Sequence, residues 1–278
     1  MLRIITDSSS DLSPQRCEEL GVEMLPLRVH FGEECFRANI DISNGEFYER
    51  LAKADKLPTT SQITPAEFED VFRPCVEAGD EVLGLFISSQ MSGTYQCALL
   101  AKENLGAENI HIVDTLTVTF ALALLVEEAA KMRDRGFSAA EIARQIESIV
   151  PRNRLWAVIE DLKYLKMGGR LSSTSAFFAS ILGICPIITI KDGLVETVGK
   201  ARGKKAAYKM IDELIQKSEI SADYGVTLGH SNSPEGMENF EEYFHDRIKK
   251  RDVTVCDIGS IVGTHVGPNA CGISYICR

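Results

Sequence analysis

No two of the eight cysteines form a C-x-x-C pair. A structural zinc site is built from closely paired ligands, so no metal site is expected. The cysteines also lack the dense spacing of a small disulfide-stapled domain, and scattered thiols fit a reducing compartment. Basic charge is scarce: 30 lysines and arginines against 40 acids leave a net charge of −10. That balance argues against a nucleic-acid binder, which presents a basic face. Long apolar runs are missing as well. The richest, from Ala176 to Ile190, is too short to cross a bilayer and contains Pro186. Met1-Leu2-Arg3-Ile4-Ile5 leads straight into a strand pattern with no signal-peptide organisation. A cytoplasmic protein without stable membrane insertion is the expectation. Neither a Walker motif nor a kinase glycine-rich loop occurs, so nucleotide chemistry has no cradle in this chain.

What is present is a normal globular complement, 45% apolar over 278 residues, enough for one large domain or two ordinary ones. The first half alternates strand and helix patterns. Leu2–Thr6, Val82–Ile87, Ile110–Asp114 and Leu155–Ile159 read as strands, and a strongly apolar helix is expected over 116–132. Ser13-Pro14, Thr64-Pro65-Ala66-Glu67 and Ser138-Ala139-Ala140-Glu141 are helix starts. Strands separated by helices imply crossovers and a parallel sheet. An insertion of about 21–58 carries its own strand pattern, Leu25–Phe31, and a helix start at Ser43. The second half changes character. Ile187–Ile190 and Leu194–Val198 flank Lys191-Asp192-Gly193, a hairpin signal. The expected fold class is α/β: an N-terminal parallel-sheet domain over 1–152, then a C-terminal α+β domain over 153–278 with a largely antiparallel sheet.

Four loops rich in hydroxyls and small residues could carry chemistry: Asp7–Ser10, Pro58–Gln62, Ser92–Thr94 and Gly263–Asn269. Strand C-terminal ends in open α/β sheets are the usual ligand crevice, so the first and third should converge. The Ser92-Gly93-Thr94 turn opens a helix, where unpaired N–H groups favour an anion. Taken singly, each loop also reads as an ordinary cap or turn. His265 is the loop histidine flanked by glycines, whereas His30 and His111 lie in strand patterns and read as structural. Two basic motifs stand out in an acidic chain, Lys166–Arg170 and Lys200–Lys205. Each is a solvated face or a docking patch. The stretch Phe177–Ile184 is either core or the wall of a greasy pocket.

In combination, T-D-S-S, P-T-T-S-Q, I-S-S-x-x-S-G-T-Y-Q, Y-L-K-M-G-G-R-L-S and H-V-G-P-N-A resemble the DegV family, in family order from Asp7 to Asn269. That family comprises bacterial fatty-acid-binding proteins, including the acyl-carrying subunits of fatty acid kinase. The resemblance implies two domains with one long-chain fatty acid in a tunnel between them. It implies a carboxylate held by Thr60, Ser92 and His265, with Ser61 and Gly93 beside them. Phe177, Phe178, Ile181 and Leu182 would line the tunnel, and Arg170 and Arg202 would dock a partner ATP-dependent kinase subunit. On this reading the chain is a lipid carrier with no catalytic residue and no cofactor beyond the bound fatty acid. Two departures are visible: Ile63 stands where the family usually has proline, and Asn269 where it usually has glycine. Two other readings are a Ser92–His265 acyl hydrolase or acyltransferase, and a phosphotransfer relative that binds a small ketone or sugar. The hydrolase lacks the G-x-S-x-G elbow.

Overall fold

The computed structural model describes residues 1–172 and 183–278. β1 (Leu2–Asp7) leads through a 3-10 turn at Ser8–Ser10 to α1 (Pro14–Leu20). The Ser13 hydroxyl accepts from the Arg16 N–H, and Gly21 closes α1 at φ 58°. β2 (Val22–Leu25) then pairs in parallel with β1, in the register Ile4↔Val22. The residues just after Gly21 thus belong to the parallel sheet, and the inserted sheet starts later. It consists of β3 (Arg28–Phe31), β4 (Glu34–Arg37) and β5 (Thr59–Ser61), ordered β4-β3-β5, with α2 (Asn44–Lys53) between β4 and β5. α3 (Pro65–Glu77), opened by a Thr64–Glu67 capping box, leads to β6 (Glu81–Phe86). α4 (Thr94–Leu105), β7 (Ile110–Asp114), α5 (Phe120–Asp134) and α6 (Ala139–Ile149) follow. The first sheet runs β2-β1-β6-β7, all parallel.

α5 starts at Phe120, later than the apolar pattern suggests. Leu116 and Thr119 have φ of 48° and 57°, which a continuing right-handed helix cannot accommodate. Periodicity reports burial, and this turn is buried as well, so apolar residues precede the helix.

From β8 (Asn153–Val158) onward the strands join a second sheet. α7 (Lys163–Met167), β9 (Ile184–Lys191), β10 (Leu194–Arg202), α8 (Lys204–Ser218) and β11 (Val226–His230) come next. α9 (Pro234–Ile248), β12 (Val253–Asp257), α10 (Ser260–Val266) and β13 (Cys271–Ile276) complete the chain. The order is β10-β9-β8-β13-β11-β12, antiparallel except for the β11–β12 pair. The β9–β10 hairpin turns on Asp192 and Gly193 at φ 50° and 79°, the left-handed pair such a turn requires. Its tip reaches the first sheet, where Ser88 Oγ donates to the Gly193 carbonyl at 2.8 Å.

α5 is the element the two sheets share. It packs on β1 and β6 on one side and on β8, β11 and β13 on the other. A largely apolar helix belongs in such a place, and every residue from Phe120 to Ala130 is buried, Glu127 and Glu128 as ion pairs with Arg16 and Lys131. Its first ring sits over a hollow in the second sheet. Gly229 of β11 faces Gly272 of β13, and a Cβ on either would meet the Phe120 ring, at 2.1 and 2.8 Å. Two facing glycines thereby seat the helix that joins the halves.

One buried carboxylate ties the same region together. Asp11, at φ 55°, accepts from the Gly259 N–H just before α10 at 2.9 Å, and its side chain also faces the Thr119 hydroxyl. Burial raises its pKa from the ordinary carboxylate value to about 7. A folded-state pKa above the unfolded one means the native state binds the extra proton. Stability is therefore lost as pH rises through 7. Asp11→Asn, which keeps the acceptor and tolerates the left-handed backbone, should raise the melting temperature relative to wild type more at pH 8 than at pH 5. A thermal melt of both proteins at the two pH values reads this; an equal difference at both would show that Asp11 does not titrate there.

Candidate carboxylate-binding site

Where β6 ends, β5 passes and α10 ends, the chain encloses a cavity of about 360 Å³. Most of its wall is aliphatic, with Ile87, Leu155, Leu165, Ile188, Ile258 and Val266 among the lining residues. Polar groups gather at Thr60, Ser61, Gln62, Ser92, Arg170 and His265.

Each polar side chain is placed by local chemistry. Thr60 lies mid-strand in β5, and its hydroxyl is 3.1 Å from His265 Nε2. Neighbours on a strand point to opposite faces. The Ser61 hydroxyl accordingly pairs with His30 Nε2 at 2.9 Å. His30, structural by its strand setting, thus fixes Ser61. Ser92 precedes the helix: its Oγ lies 2.9 Å from Thr94 Oγ1 and accepts from the Thr94 N–H at 3.3 Å. Gly93 is the N-cap of α4 and contributes no side-chain cap; of the first-turn N–H groups, that of Thr94 is taken by Ser92 Oγ. The dipole of this twelve-residue helix adds partial positive charge there.

His265 was expected in a loop and instead sits in the last turn of α10. The helix continues through Gly263, whose missing Cβ lets Tyr48 and Phe47 approach to 2.6 and 2.8 Å of the Cβ position. The imidazole is pushed down to a pKa of about 4, first by burial and then by the charge of Arg170. It is neutral at neutral pH and can donate from one nitrogen. Among the described residues Nδ1 is buried without a partner, close against Gly168, where a Cβ would lie 2.2 Å away.

Asp7 is not part of the cluster. Its carboxylate accepts from Ser9 N–H and Oγ and from the Ile87 N–H, at 2.8, 2.5 and 2.8 Å. It binds the 3-10 turn to the end of β6, the Asx-type role open to this residue. Arg170, which the resemblance assigned to docking, lines the cavity. Its guanidinium donates to the carbonyls of Met91 and Gly168 at 3.2 and 2.5 Å. Arg202 is exposed at the end of β10 and is not among the lining residues. Phe177, Phe178, Ile181 and Leu182 lie outside the described residues.

Sequence reasoning missed Gln62. Its amide donates to Cys97 Sγ at 3.0 Å and packs where a Gly93 Cβ would be, 2.2 Å from its Oε1. The signal was its place in the P-T-T-S-Q loop. The two departures in the motifs leave the site standing. Ile63 is buried among aromatics of the adjoining core. Asn269 adopts φ 66°, and its N–H donates to the Ser231 carbonyl at 2.7 Å. Its side-chain amide donates to Glu160 at 2.8 Å, so asparagine holds the conformation glycine would have supplied. Among the described residues no helix is long and apolar enough to cross a membrane.

Comparison with known proteins agrees across the whole chain. The model of the DegV family of uncharacterised proteins matches residues 1–278. A DegV domain-containing protein of Caldanaerobacter subterraneus is 32% identical over 275 residues, covering 99% of this chain and 98% of its own. A solved DegV family protein from Thermus thermophilus, reported for its fatty-acid binding, is 26% identical. It superposes with a TM-score of 0.90 over 100% of this chain and 99% of its own. A stearic acid-binding protein from Eubacterium ventriosum is 27% identical, with a TM-score of 0.89 over 100% of this chain and 98% of its own.

Proposed function

Because the chain belongs to the DegV family, we propose that it binds one long-chain fatty acid, tail in the aliphatic cavity and carboxylate at Thr60, Ser92 and His265. The observation that carries this is the cavity's asymmetry: an aliphatic wall with hydroxyl and imidazole groups gathered at one part of it. Each buried methylene contributes about 0.8 kcal/mol, so a long tail supplies most of the affinity. The hydroxyls, the neutral His265 and the first turn of α4 orient the head group. Arg170 is within reach of the same anion and strengthens the pull on a carboxylate. Solved relatives that bind fatty acids support the ligand class.

Thr60, Ser92 and His265 are each only partly buried. The head group would stay reachable, which suits presentation to an ATP-dependent kinase partner that forms the acyl phosphate. Arg202, exposed and clear of the cavity, is the residue proposed for that docking. The hydrolase reading has less support. His265 pairs with Thr60, Ser92 pairs with Thr94, and no carboxylate among the described residues orients His265 Nδ1. The aliphatic wall likewise disfavours a small sugar.

Protein purified from cells, denatured and extracted should release fatty acid detectable by mass spectrometry, near one per chain. Stripped protein should take it up again. No lipid in the extract and no uptake on addition would overturn the proposal.

A further inference from the structure

A second cleft, of about 940 Å³, opens on the other side of β13, between the starts of α8 and α9. It is lined by Lys204, Lys205, Tyr208, Ser233, Gly236 and Asn269, among others. Both helices begin there without a side-chain cap: α8 follows Gly203 at φ 80°, and α9 follows Ser233. The Ser233 hydroxyl makes no capping bond. It turns instead toward Gly236. A Cβ on Gly236 would lie 2.2 Å from Ser233 Oγ, 3.2 Å from Lys204 Nζ and 3.3 Å from Cys271 Sγ. Those three groups therefore converge on the first turn of α9, whose N–H groups are uncapped. Among the described residues neither Lys204 nor Lys205 has an ion-pair partner.

An independent observation points the same way. Tyr208 lines the cleft and is only 5% exposed, and among the described residues its hydroxyl has no hydrogen-bond partner. Burial pushes that hydroxyl up to about 12, with the Cys271 and Cys185 thiols beside it acting in the same direction. Lys204 and Tyr208 line the same cleft. A neutral buried donor without an acceptor carries a desolvation cost that an anion's oxygen would relieve.

We propose that the cleft between the starts of α8 and α9 is a second ligand site that takes a phosphate group. Lys204 and Lys205 supply charge, Ser233, Tyr208 and the first turn of α9 supply donors, and the two helix dipoles favour the anion. Glu235 and Glu242 on the same cleft oppose an anion, and the two lysine charges offset them. A phosphate monoester fits, either free or as a lipid headgroup. The site does not touch Thr60, Ser92 or His265, so its fate is independent of the lipid reading.

Stripped full-length protein titrated calorimetrically with inorganic phosphate and with AMP should show binding at this cleft. Vesicles of phosphatidylcholine with and without phosphatidate test the headgroup source. Lys204→Ala and Tyr208→Phe should each weaken the observed binding about tenfold, the loss of one charge-assisted hydrogen bond. Fatty-acid uptake should be unchanged in both. Binding confined to phosphatidate vesicles and lost in the variants assigns the site to a lipid phosphate. Binding of phosphate or AMP lost in the variants assigns it to a free ligand. No binding to any of these probes, or binding that neither variant changes, overturns the proposal.

Discussion

His265→Ala should weaken fatty-acid binding by roughly ten- to a hundredfold, the effect of deleting one hydrogen bond to a charged group. A displaced fluorescent fatty acid would read it. Alanine at position 265 also unpairs Thr60, since the hydroxyl and Nε2 lie 3.1 Å apart. Two donors are disturbed by one change, which is why the effect should exceed that of Ser92→Ala. The sharper test keeps the imidazole but displaces it. Gly168→Ala puts a methyl 2.2 Å from His265 Nδ1 and 3.1 Å from the Tyr164 carbonyl, so the ring must move. The variant should bind as poorly as His265→Ala while melting close to wild type. Full affinity in Gly168→Ala would mean that the ring position is irrelevant to the ligand.

Gly272→Val should cost the fold about 3 kcal/mol, the upper range for overpacking a filled core. A Cβ at Gly272 meets the Ala157 methyl, the Phe120 ring and the Trp156 carbonyl, all at 2.8 Å. The carbonyl is backbone in the paired strand and cannot rotate aside. A melting temperature lower by roughly 5–10 °C is expected for a chain of this size. Phe120→Leu in the same protein should recover part of the loss, because the two sites share one space. An additive double variant would show that Phe120 and Gly272 do not compete. Phe120 also lines the cavity proposed for the fatty-acid tail, so the rescued protein should show altered chain-length preference.

Helix starts were legible because their chemistry is local. Ser13, Ser43, Thr64 and Ser138 each accept from the backbone N–H three residues on. The Asp192-Gly193 turn was legible for the same reason, since its positive φ values follow from residue type. Helix α5 was found but started too early, because Val118 and Leu122 are equally apolar while only one is helical. The glycine-flanked His265 looked like a loop residue, since glycine lowers helix propensity. Packing of α10 against Phe47 and Tyr48 overrides that propensity.

The sequence by itself determined the α/β class, the parallel first sheet, the hairpin and, through its ordered motifs, the family. Those follow from caps, periodicity and residue order, which act over a few residues at a time. Only the tertiary structure decided that Thr60 meets His265, 205 positions away, and that Arg170 faces the cavity. It alone decided that Gly229 and Gly272 make one seat for Phe120. Such meetings depend on how strands from distant parts of the chain register against each other. The energy that sets the register is spread over the whole buried core, so no short stretch of sequence carries it.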